Sequence, residues 1–131
     1  MFRCEKSDPL GRQIVLAIAA GRVGVGLGTL FATRPSLRVL GFAETDSSGL
    51  ALAKLAGGRD LALGAMTLAL RDDPAALRTA ALAGAVLDSA DALTFVLATG
   101  DPGTRRAGLS GMLSGGAAAL AGIWAWRRLR P

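Results

Sequence analysis

The sequence predicts an all-α fold, a bundle of four membrane-spanning helices in up-down-up-down order, as one transmembrane domain over residues 1–131. Three observations lead there. Apolar residues make up 51% of the chain and charged residues only 19%, too apolar for a soluble helical domain with a charged surface. Four apolar segments of about 20 residues recur, the length a helix needs to cross roughly 30 Å of hydrocarbon. Alanine and leucine dominate these segments, and no sustained period-two alternation points to strands.

The first segment, residues 13–33, carries one charge, Arg22, and stops at Arg34-Pro35, after which a loop is expected. The second, 49–70, follows Thr45-Asp46-Ser47-Ser48 and holds Lys54, Arg59 and Asp60. Lys54, nearer the segment end, is expected to snorkel to the interface. The third, 77–98, follows Asp72-Asp73-Pro74 and holds Asp88 and Asp91. The fourth, 107–126, follows Gly100-Asp101-Pro102-Gly103 and carries no charge. Its only polar breaks are Ser110, Ser114 and glycines, so it has no outer face for water, which disfavours a soluble bundle. A cleaved leader is not expected, because three more spans follow the first.

Basic residues predict the orientation. Arg3, Lys6, Arg12, Arg71, Arg78, Arg127, Arg128 and Arg130 fall on the side of the two termini, against Arg34, Arg38, Arg105 and Arg106 on the other. The positive-inside bias then places both termini in the cytoplasm and the protein in the cell's inner membrane. Trp124 and Trp126 beside Arg127 suit an interfacial anchor. The net charge of +5 is thus topogenic, and no basic face with aromatic platforms indicates a nucleic-acid partner. Histidine and tyrosine are absent and there is one cysteine, Cys4. That excludes Ser-His-Asp and Cys-His nucleophile systems, most zinc sites and an intrachain disulfide, and no metal or cofactor is expected.

The informative residues are the charges at mid-span. Arg22, Arg59 with Asp60, and Asp88 with Asp91 lie near the centres of three segments and so at one depth. A charge there costs roughly 2.5 to 3.5 kcal/mol, so the aspartate pair costs on the order of 5 to 7, more than the third segment's leucines and valines return. That helix needs partners. Asp88 and Asp91, three apart, share a helix face. Gly57 and Gly64 flank Asp60, Gly21, Gly24 and Gly28 flank Arg22, and Gly111 and Gly115 repeat the spacing. Such stripes are packing surfaces between membrane helices and could equally serve a homodimer. Two arginines against three aspartates leave one carboxylate over, for which a retained proton is the expected relief. Glu44, Asp46, Asp72, Asp73 and Asp101 read as loop or cap residues, and Met66 and Met112 as core fillers.

The run Gly57-Gly58-Arg59-Asp60-Leu61-Ala62-Leu63-Gly64, a G-x-R-D-x-x-L-G pattern, resembles a family of small bacterial and fungal multi-pass membrane proteins whose domain has no assigned function. Gly21-Arg22, Pro35 with Gly41, and Asp88-x-x-Asp91 are similar to it as well. The resemblance covers most of residues 13–126. It implies four transmembrane helices and no particular activity.

A buried Arg/Asp cluster in a bilayer suggests a lipophilic small molecule as partner besides the lipid itself. In the enzyme expectation, Asp60, Asp88 and Asp91 supply acid/base catalysis, while Arg22 and Arg59 bind the substrate or stabilise developing negative charge. Isomerisation, cyclisation or epoxide opening would suit these groups, in a mid-membrane pocket open sideways to lipid. The alternatives are a proton-coupled small transporter, for which Gly57-Gly58 is the one candidate helix break, and a non-catalytic assembly subunit held together by the cluster.

Overall fold

Asp8 and Asp73 each precede a proline and cap the helix that follows, Asp8 through Leu10 N–H (3.0 Å) and Asp73 through Ala75 and Ala76 N–H (2.9 and 3.0 Å). Asp46 caps a third helix through Gly49 N–H at 2.7 Å. With these starts, the computed structural model, which describes residues 8–42 and 45–129, contains five helices and no strand among the described residues. They are α1 (Pro9–Phe31), α2 (Thr33–Leu40), α3 (Ser47–Ala69), α4 (Pro74–Ala98) and α5 (Arg105–Arg128). Arg3, Cys4, Lys6, Glu44 and Arg130 lie outside the described residues.

The four apolar segments correspond to α1, α3, α4 and α5, each helix starting two to four residues earlier than the apolar run because its polar cap lies outside it. The loop expected after residue 33 is instead the helix α2, one residue beyond the end of α1. Pro35 falls in its first turn, where a missing N–H leaves no hydrogen bond unmade. Gly41 closes α2 in the left-handed conformation (φ 100°), its N–H donating to Arg38 O at 3.0 Å.

α1, α4 and α5 are long and apolar enough to cross a membrane. α3 matches them in length, but Lys54, Arg59 and Asp60 crowd its middle. Many large apolar side chains face outward on all four long helices, among them Leu27, Leu52, Leu55, Val86, Leu97, Leu113 and Leu120. The interior is rich in small residues, among them Ala19, Ala81, Ala85, Ala119 and Ala125. In water such an exterior would be one continuous sticky surface; against lipid it is the favourable side. Lys54 is exposed.

Two antiparallel helix pairs carry most of the packing, α1 with α3 and α4 with α5, and α1 also lies against α5. Close approach in the first pair needs glycine. A Cβ at Gly26 would stand 2.7 Å from Gly57 O, and one at Gly64 would stand 2.6 Å from Ala19 O. The expected packing stripe of Gly21, Gly24 and Gly28 is therefore corrected to Gly26: Gly21 and Gly24 face open space, and Gly28 meets only Ser36. Gly111 and Gly115 do pack, onto Phe95 and the Asp88–Ala92 backbone. These glycine faces are used within the chain. Gly57 sits in unbroken helix, so it is a packing position and not a helix break.

α3 and α4 are consecutive in sequence, yet they scarcely touch. Their connection is held at one end, where Arg12 donates to Arg71 O (3.1 Å) and Asp72 (3.1 Å). Arg128 pairs with Asp8 at that same end, and Val15, Leu77, Ala81, Ala125 and Leu129 close it with a small core. Trp126 stacks under Arg78 and Trp124 under Arg128 beside this core. The splay between α3 and α4 above it leaves a groove.

Candidate functional site

Arg22, Asp60 and Asp88 come from the middles of α1, α3 and α4, and the seams that pack these helices turn all three side chains inward. Arg22 donates from Nη1 to Asp60 Oδ1 (3.2 Å) and from Nη2 to Asp88 Oδ1 (2.6 Å) and Gly84 O (3.2 Å). Arg59 continues the chain. It reaches Asp60 Oδ1 at 3.4 Å and grips Asp91 with two bonds, Nη1 to Oδ1 at 3.1 Å and Nη2 to Oδ2 at 2.5 Å. The charges thus alternate along Asp88–Arg22–Asp60–Arg59–Asp91, with an aspartate at each end. All five residues singled out in the sequence meet here.

Alternation explains how the five ions coexist, Arg22, Asp60 and Asp88 largely buried and Arg59 and Asp91 partly exposed. Each arginine lies between two carboxylates and Asp60 between two arginines, so like charges are never nearest neighbours. Many of the hydroxyl groups in the helices close on their own helix. Thr29, Thr33, Thr67, Thr79, Ser89 and Thr94 each donate to the carbonyl four residues back. Arg59 Nε is buried without a partner among the described residues.

The inner end of this chain opens on a cavity of about 360 Å³ in the α3–α4 groove. That volume is at the low end of the roughly 300–1,000 Å³ usual for small-molecule sites. Its wall is apolar: Ile18 from α1, Leu63, Met66 and Leu70 from α3, Ala76, Ala80 and Ala83 from α4, Ala118 from α5. Met66, expected as a core filler, is instead an exposed residue at this wall. The two charged residues in the lining are Arg22 and Asp88; Asp60, Arg59 and Asp91 lie outside it.

Arg22 and Asp88 present different chemistry to the cavity. Both Nη atoms of Arg22 are engaged by protein oxygens. Asp88 uses Oδ1 for Arg22, while its Oδ2 enters no hydrogen bond among the described residues and is not fully enclosed. Arg22 thus holds Asp88 by a direct hydrogen bond, and Asp88 is the carboxylate that borders the cavity.

The G-x-R-D-x-x-L-G run reads position by position in this geometry. Gly57 and Gly64 seat α3 on α1, Arg59 and Asp60 form the middle of the ion chain, and Leu63 lines the cavity. Gly84 and the alanine run of α4 escaped the sequence reading. Gly84 offers its carbonyl to Arg22 Nη2 (3.2 Å), and the alanines leave the groove unfilled. Comparison of the chain with family models, curated proteins and solved structures finds no match in any of the three.

Proposed function

We propose that this is an integral membrane protein of four spans, α1, α3, α4 and α5, with both termini cytoplasmic, that takes a lipophilic small molecule from the bilayer into the α3–α4 groove. One observation carries this: an apolar cavity ends on a buried carboxylate with an oxygen to spare. An apolar body fills the wall, and a polar end meets Asp88. The inner positions of α3 make it a span despite its charges, because Arg59 and Asp60 are neutralised by Asp91, Arg22 and each other. The dominance of basic residues at the end holding Asp8, Arg71 and Arg128 supports the orientation, in the inner membrane of a cell that obeys the positive-inside bias.

Within the groove, Asp88 is the group that exchanges a proton with the bound molecule. Asp60 is linked to it by hydrogen bonds through Arg22, and Asp91 through Arg59, Asp60 and Arg22. This narrows the carboxylate chemistry from three aspartates to one acid/base and two that set its surroundings.

Native mass spectrometry of the protein extracted from its own membrane tests the reading, wild type beside Ala80→Phe. A small molecule carried by the wild type and missing from the folded variant is the expected result. Folded wild-type protein that carries none contradicts it.

A further inference from the structure

With the groove as a ligand site, the reading proposed above, its charge specifies what enters. We infer that the polar end of the molecule is a cation, an ammonium group on a lipophilic body, with Asp88 as its counter-ion.

The cluster holds three carboxylates and two guanidinium groups, a formal charge of −1. That surplus has a place. Asp91 is gripped by Arg59 through both oxygens and Asp60 takes two arginines, whereas Asp88 is held by one arginine through a single bond to one oxygen. Asp88 is also the carboxylate in the cavity wall. A proton or a cation can neutralise it there, and a ligand ammonium does so while donating to Oδ2.

The same geometry disfavours other headgroups. An anion would meet the surplus negative charge, and both Nη atoms of Arg22 already serve protein acceptors. An uncharged hydroxyl could donate to Oδ2 but would leave the charge buried and unbalanced. Thr67 and Thr79, the hydroxyl residues of the wall, spend their hydroxyl protons on their own helix carbonyls, so neither is left to donate to an anionic headgroup.

Three probes with one chain length decide this: decylamine, decanol and decanoate, each titrated at neutral pH against the full-length protein in uncharged maltoside micelles. Stabilisation against thermal unfolding reports binding. Decylammonium is expected to bind at least tenfold more tightly than decanol, and decanoate least. Asp88→Asn should remove the preference for the amine while leaving decanol binding in place, and Ala80→Phe should remove binding of all three. Equal binding of the three probes, or a preference for decanoate, overturns the cation while leaving the groove a ligand site. Binding that Ala80→Phe does not alter overturns both. The wild-type comparison alone decides the headgroup if Asp88→Asn does not fold.

Discussion

Arg22 and Asp88 meet at 2.6 Å between α1 and α4, and that contact ties one helix pair to the other at the inner end of the cavity. Both side chains are about nine-tenths buried, 10% and 12% exposed, so screening by solvent is weak and loss of either partner is felt. The two losses are not equivalent, because carboxylates outnumber arginines in the cluster.

Removing an arginine should therefore cost far more than removing an aspartate's charge. Arg22→Gln leaves three carboxylates with one guanidinium and is expected to destabilise by about 3–5 kcal/mol. Asp60→Asn leaves Arg22 with Asp88 and Arg59 with Asp91, one to one, and should cost under about 1.5 kcal/mol. Thermal unfolding in micelles measures both. Equal losses would contradict the charge surplus.

The glycines of α1 and α3 should respond to one methyl group with opposite signs. Gly64→Ala places a Cβ against Ala19 O and should destabilise by about 1–3 kcal/mol. Gly24→Ala faces open space and should stabilise by about 0.5–1 kcal/mol through the helix backbone alone. The same unfolding measurement decides it, and a stabilising Gly64→Ala would contradict the close α1–α3 seam.

Orientation is accessible to thiol labelling. In a Cys4→Ser background, cysteines at Thr45 and Pro102 should react with an impermeant reagent on intact cells, and one at Arg71 only after permeabilisation. The reverse pattern would invert the topology, and reaction of Arg71→Cys alongside the other two on intact cells would rule out the alternating crossings.

The long helices were legible because a 20-residue apolar run bounded by Asp-Pro or Asp-Ser leaves few alternatives. The ion cluster was legible for a similar reason: buried charge is expensive, so charges at equal depth on three helices must meet. α2 was hidden because Pro35 reads as a breaker unless the first turn is known to begin at Thr33. The active glycine of α1 was hidden too. GxxxG spacing marks Gly24 and Gly28, but the rotation of α1 against α3 selects Gly26, and only the partner's surface sets that rotation. The groove depends on which helices fail to pack, and consecutive segments such as α3 and α4 would ordinarily be expected to pair. Alanines at 76, 80 and 83 were the available sign, since small side chains on one face leave a space that no neighbour fills.

Occupancy of the groove by a molecule from the bilayer is best measured in the membrane itself, with a lipophilic diazirine photoprobe and peptide mapping of its attachment sites. Excess labelling at Met66, Leu70 and Thr79, suppressed in Ala80→Phe, is the predicted result. Uniform labelling of exposed residues such as Leu52, Leu97 and Leu120, with no excess at the groove and no change in the variant, would contradict it.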